Sequence, residues 1–159
     1  MNEVVANKDQ FSISYEGTTS VTIKVPEGPK TFNFDRVYQP DTKQLSVFNE
    51  TAKDTVDEVI NGFNGTFFAY GQTGAGKSFS MFGPDTGEEE LRGVIPRASR
   101  HIFEKISSDN SGTNYVVKCS FLEIYNEQIR DLLNPSQTNL QVRESPQRGI
   151  YVGDATERV

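Results

Sequence analysis

The sequence holds one cysteine, Cys119, and one histidine, His101, among 159 residues. A lone cysteine excludes an internal disulfide and a multi-cysteine zinc site, and it suits a reducing compartment. One histidine leaves no room for a His-rich metal centre or a relay of imidazoles. No apolar run approaches the ~20 residues that a membrane-crossing helix needs. Residues 1–10 lack the apolar core of a signal peptide. Basic charge is short as well: 16 Lys and Arg against 22 Asp and Glu give a net charge of −6. Charge of that sign repels nucleic acids and other polyanions, so an acidic partner would need a local basic patch. The hydrophobic share, 35%, is thin for a globular chain of this length. These scarcities predict a cytoplasmic chain, one domain or part of one, with no membrane insertion and no nucleic-acid partner.

What is present alternates between strand and helix patterns. Phe11, Ile13 and Tyr15, then Val21, Ile23 and Val25 beyond Gly17, predict a β-hairpin. Pro26 to Pro29 interrupts it, and Thr31–Tyr38 predicts a further strand. Asp41, with Gln44 three residues on, reads as the N-cap of a helix. That helix carries Leu45, Phe48, Ala52, Val56, Val59, Ile60 and Phe63, and Gly62 and Asn64-Gly65 end it. Thr66–Tyr70 fits a buried strand, and a short amphipathic piece runs through Phe79, Met81 and Phe82. Residues 85–90 read as a solvated acidic loop. Pro96 reads as a first-turn proline of a helix through Ala98, Ile102, Phe103 and Ile106, with His101 an ordinary helical residue. Tyr115–Tyr125 predicts a long strand with Cys119 buried in it. Asn126–Leu133 predicts a helix, and Leu140–Arg143 and Ile150–Val152 predict short strands. The alternation predicts an α/β fold.

One motif carries chemistry. Gly71, Gln72, Thr73, Gly74, Ala75, Gly76, Lys77 and Ser78 satisfy G-x-x-x-x-G-K-[ST], the phosphate-binding loop pattern, between an expected strand and an expected helix. Glycines let the backbone wrap closely, so that successive N–H groups point inward at phosphate oxygens. The following helix adds its positive end to the same spot. Lys77 would set an ammonium on the β- and γ-phosphates, and Ser78 would give its hydroxyl to Mg2+.

The run from Asn64 to Ser78, Asn-Gly-Thr-Phe-Phe-Ala-Tyr-Gly-Gln-Thr-Gly-Ala-Gly-Lys-Ser, resembles the signature of kinesin motor domains. Phe32–Tyr38, Gly93-Val94-Ile95-Pro96-Arg97, Ser120–Leu133, Tyr151-Val152 and Thr156-Glu157-Arg158 resemble further family segments in the same order, most closely those of N-terminal motors. The resemblance implies a phosphate-loop NTPase fold with a central sheet flanked by helices. It implies ATP or ADP with Mg2+ as ligand, the microtubule (tubulin) as partner, a cytoskeletal location, and ATP hydrolysis coupled to movement. Carried over by position, Gly71–Ser78 would hold the phosphates, with Phe79 and Phe63 beside the base. Phe63 reads equally as the last apolar residue of its helix, and Phe79 as a core residue of the next. Arg143, Arg148 and Arg158 would fall in a lobe near the microtubule surface, or else be solvated.

The family's motor domain is longer than this chain. No Arg-x-Arg-Pro element precedes Asn2, and no Asn-x-x-Ser-Ser-Arg-Ser-His or Asp-Leu-Ala-Gly switch follows Val159. Residues 1–159 are therefore expected to form a partial, incomplete motor domain. It would lack the first core strand and everything from the first switch onward, with no catalytic residue of its own. Asp154, the one aspartate that closes an apolar strand, reads as a turn residue. Residues 66–70 would then have bare edges and uncovered aromatic faces. The alternative is a truncated, non-catalytic protein that binds nucleotide or a partner.

Overall fold

Period-two alternation at the start of the chain produces an antiparallel sheet. The computed structural model describes residues 12–159, and Phe11 lies outside the described residues. Strands β1 (Ser12–Glu16), β2 (Ser20–Val25) and β3 (Gly28–Asn33) pair in the order β1-β2-β3. The register sets Ile13 opposite Ile23, Tyr15 opposite Val21 and Val21 opposite Phe32, so the apolar residues share one face. On the other face Thr22 is buried, its hydroxyl bonded to Thr31 at 2.8 Å and to Glu16 at 3.1 Å. The interruption expected over 26–29 shrinks to a turn at Pro26 and Glu27. Pro29 lies inside β3, an edge strand, where a missing N–H is tolerated. The strand expected at Thr31–Tyr38 thus begins earlier and ends at Asn33.

A helical run follows over 44–60: α1 (Gln44–Val47), a π turn (Phe48–Ala52) and α2 (Lys53–Ile60). Asp41 does not cap it. The N-cap is Lys43, without a side-chain bond, and Gln44 turns inward instead of back to the cap. The run ends at Ile60, so Phe63 lies beyond the helix and is exposed. Helix α3 (Lys77–Met81) is short, a 3-10 turn spans Glu89–Leu91, and α4 (Val94–Ser108) is the longest element. Phe48, Ala52 and Val94 form the buried core, with Met81 and Ala98 packed against it. One apolar cluster therefore joins the π turn, α3 and α4.

A polar contact backs it. Asp57 on α2 meets His101 Nε2 at 2.7 Å, Lys53 Nζ at 3.0 Å and Lys105 Nζ at 3.2 Å. The His101 bond, then that of Lys53, holds the Asp57 carboxyl well below the usual carboxylate range. The His101 ring also meets Phe48 edge-on, at 6.2 Å between centroids. His101 is thus a partly buried tie between helices rather than an ordinary surface position.

Residues 66–70 depart from the buried strand their composition predicts. They carry no ladder bond among the described residues, and Phe68 and Tyr70 are 85% and 89% exposed. An apolar strand is buried only where sheet neighbours cover it, and none of the described strands pairs with this one.

The chain divides after Ser108, and Asp109–Val159 form a second unit. Here β4 (Leu122–Tyr125), β5 (Gln128–Asp131) and β6 (Thr138–Leu140) make one antiparallel sheet, and β7 (Val142–Ser145) with β8 (Gly149–Val152) a second. The helix predicted over Asn126–Leu133 is absent. Asn126 and Glu127 take φ values of 49° and 61°, a two-residue left-handed turn that folds β5 back on β4. The long strand predicted at Tyr115–Tyr125 contracts to Leu122–Tyr125. Cys119, expected inside it, is exposed and makes only an isolated bridge to Arg158. Asp131 is the anchor of this unit. It is buried and accepts the N–H groups of Leu133 (2.8 Å), Asn134 (3.1 Å) and Thr156 (2.7 Å). Those bonds, Thr156 first, hold its carboxyl below the usual range.

Candidate functional site

The phosphate loop follows directly on the exposed 66–70 segment. Gly74 and Gly76 sit at φ 83° and 89°, a region that side-chain-bearing residues avoid, and a Cβ on either would meet nothing within 4 Å. Both glycines thus stand on an open side of the loop. One bond closes it internally, Ala75 N–H to Gln72 O at 3.1 Å. No backbone acceptor among the described residues takes the N–H groups of Gln72, Thr73, Gly74, Gly76, Lys77 or Ser78. A run of N–H donors without backbone acceptors is what a nest for an anion requires.

Lys77 opens α3, with left-handed Gly76 as its N-cap. Its ammonium donates to Gly71 O and Gln72 O, both at 2.8 Å, which folds the side chain over the loop. An ammonium has three donors, so one remains for a ligand. Ser78 follows and is exposed. Helix α3 has only five residues, so its dipole contributes little, and the individual N–H groups and the Lys77 charge carry the attraction.

Phe79, expected near a nucleotide base, is 47% exposed and lines a cavity of about 420 Å³. The opposite walls are residues 40–45 and Glu89–Leu91 with Arg97. Phe63 is not among the lining residues; it is 64% exposed at the far end of the helical run. Residues 85–90 are all exposed, as the reading of a solvated loop expects, and Glu89 adds ion pairs to it. The Glu89 carboxylate pairs with Arg100 and with Arg92, the latter at 3.0 Å, and the Arg100 contact lowers its pKa. Arg97 donates to the carbonyls of Glu89, Glu90 and Arg92. A residue that motif reasoning missed is Gln44, whose amide donates to Phe79 O at 2.6 Å. No local pattern signals that bond, because it spans 35 residues.

The second unit holds the three arginines expected at a partner surface. Arg143 pairs with Asp154 at 3.0 Å, and Asp154 occupies a left-handed turn at φ 62°, as its reading as a turn residue requires. Arg148 reaches Glu157 at 3.6 Å and lies 4.9 Å from the centre of the Tyr151 ring. The Arg158 backbone bridges Cys119, and its guanidinium has no ion-pair partner among the described residues. Two of the three thus have a carboxylate partner, although Glu157 is shared with Lys118 at 3.1 Å.

Comparison with known proteins places this geometry. Residues 2–159 match the family description Kinesin motor domain. The kinesin heavy chain of Gibberella moniliformis is 46% identical over 88% of this chain, and the human kinesin-like protein KIF15 is 45% identical over 96%. A solved structure of a fast kinesin, titled for its ATPase mechanism and its interactions with microtubules, superposes with a TM-score of 0.89. It is 44% identical and covers 94% of this chain. This chain spans 15% of the Gibberella protein, 12% of the human one and 42% of the solved chain. The α/β arrangement is thus part of the kinesin phosphate-loop fold, and the chain belongs to the kinesin motor-domain family.

Proposed function

We propose that this chain is the nucleotide-binding portion of a microtubule-based kinesin motor, with ATP or ADP and Mg2+ as its ligands. The observation that carries the reading is the loop at 71–78. Apart from Ala75, its N–H groups from Gln72 to Ser78 have no backbone acceptor among the described residues, and Lys77 is folded over it. In this reading the free N–H groups of residues 72–78 would bind the phosphates, the third Lys77 donor would add charge, and Ser78 Oγ would be a ligand for Mg2+. Bound Mg2+ would neutralise phosphate charge. Phe79, at the wall of its cavity, would pack beside the base.

Residues 1–159 form a partial motor domain, and hydrolysis and movement belong to the complete one. Phosphoryl transfer needs an oriented water and groups that respond around the γ-phosphate, beyond a loop that binds the ground state. The microtubule is the partner, and the cytoskeleton in the cytoplasm is the location. Arg158, whose charge is unpaired among the described residues, is the strongest candidate contact. Arg143 and Arg148 would first have to leave Asp154 and Glu157.

The test is a thermal melt of the chain with and without MgADP, beside Lys77→Ala. A ligand that binds only the folded state adds about 2.7 kcal/mol at 100 times its Kd. A melt raised by MgADP in the parent and unmoved in Lys77→Ala is expected. A parent melt indifferent to MgADP would overturn the reading.

A further inference from the structure

Helix α3 carries Lys77 and Ser78, yet it has five residues and too few internal bonds to hold its own direction. Its apolar anchor is Met81, which packs on the cluster of Phe48, Ala52 and Val94. That contact is non-directional, and the Gly93 N–H that donates to Phe82 O at 3.0 Å grips the chain just past the helix, at the end opposite Lys77. A hydrogen bond fixes direction. Gln44, the first residue of α1, supplies one: its Nε2 lies 2.6 Å from Phe79 O. The amide orientation is unambiguous, because the Oε1 atom against a carbonyl would set two acceptors together. The same carbonyl accepts Gly83 N–H at 2.9 Å, so Gln44 occupies its second lone pair rather than replacing a helical bond.

Gln44 is also 8% exposed, an uncommon degree of burial for a primary amide. Its backbone stands four residues before Phe48 in the helical run. Gln44 thus holds Phe79, and the cluster to which Phe48 belongs holds Met81, so α3 is gripped at two points. Phe79 follows Ser78 directly and Lys77 by two residues. A roll of α3 would move both groups relative to the loop N–H donors.

We propose that Gln44 is a positioning residue for the phosphate site, setting through the Phe79 carbonyl where Lys77 and Ser78 are presented. The inference rests on the nucleotide reading for its ligand but not for its structural half. Gln44 itself touches no phosphate. Its isostere glutamate makes the role testable by pH. A carboxylate cannot donate to a carbonyl, whereas the protonated acid can. Burial, with Asp41, Glu89 and Glu90 on the same cavity, raises the pKa of such an acid, against Lys43 and Arg97, which lower it.

Two readouts on the 159-residue chain decide it. The first is hydrogen exchange of the amides of residues 77–83 without nucleotide, in the parent and in Gln44→Met, a substitution of similar volume. About tenfold faster exchange there, with an unchanged global melting temperature, is expected. The second is the Kd for a fluorescent MgADP analogue between pH 8 and pH 6, each variant against the parent at the same pH. Gln44→Met is expected to bind about tenfold more weakly throughout. Gln44→Glu is expected to be as weak at pH 8 and to recover toward the parent at pH 6. Unchanged exchange in Gln44→Met overturns the proposal whatever the nucleotide result. So does a loss of affinity that follows melting temperature in both variants, with no recovery of Gln44→Glu. If exchange responds but the parent binds no MgADP, the nucleotide reading fails while Gln44 still orients α3.

Discussion

At Gly74 the space around the backbone is empty, whereas at Gly93 it is filled by the main chain of another element. A Cβ on Gly74 would meet nothing within 4 Å. On Gly93, the residue before α4, it would stand 2.5 Å from Met81 C and 2.6 Å from Met81 O and Ser80 O. The Gly93 N–H also reaches Phe82 O at 3.0 Å. Both sites serve the same few residues of α3, one from the loop before it and one from the helix behind it. The difference separates binding from support. Glycine at the loop supplies a left-handed backbone with its open side unobstructed, and glycine at the junction lets two backbones touch. The sites should therefore fail differently.

Gly93→Ala is the harshest way to test that contrast. The atoms in its way are backbone, so the α3–α4 contact must open, at a cost of about 3 kcal/mol. A urea melt should show the midpoint fall sharply, and a loss under ~1 kcal/mol would break the comparison. Gly74→Ala should do the converse. Its left-handed backbone costs ~1 kcal/mol in stability, but the new methyl enters the ligand's space. MgADP should bind at least about tenfold more weakly, equivalent to ~1.4 kcal/mol. A Gly74→Ala chain that keeps parental affinity would place the ligand elsewhere.

Smaller effects separate the two units. Asp131→Ala leaves the N–H groups of Leu133, Asn134 and Thr156 without their carboxylate. It should lower the unfolding midpoint of residues 109–159 and leave MgADP affinity unaltered, because the loop belongs to the other unit. Acid gives the mildest test. The folded pKa of Asp57 is depressed, first by His101 and then by Lys53. Its stabilising contribution is therefore complete above the unfolded carboxylate value of about 3.9 and is lost as pH falls below it. Asp57→Asn should be less stable than the parent at pH 6, and the gap should close as pH falls toward 2. A gap that is constant with pH would remove the charge from the α2–α4 contact.

The two kinds of site also differ in how far the sequence reveals them. A phosphate loop states its requirement locally, since the left-handed residues must be glycine and the lysine must adjoin them. Residues 71–78 could accordingly be read without neighbours. The turn at Asn126-Glu127 is left-handed too, yet Glu127 does not advertise it. The helix expected over Asn126–Leu133 is replaced there by a hairpin. Asn126 was the available sign, because asparagine tolerates that region. Burial was less legible still. Thr66–Tyr70 has a core strand's composition but no paired neighbour, and composition cannot supply one. The partners of Gln44, His101 and Glu89 lie 35, 44 and 11 residues away, so no local pattern could assign them.

The central claim is that the loop from Gly71 to Ser78 forms a phosphate cradle with Lys77 as its charge. Calorimetric titration of MgADP into the parent chain and into Lys77→Ala tests it most directly. One saturable site per chain in the parent, weakened at least about a hundredfold in a Lys77→Ala chain with an unaltered melt, is the predicted result. Equal affinity in the two, or no saturable site in a parent chain that melts cooperatively, would contradict the account.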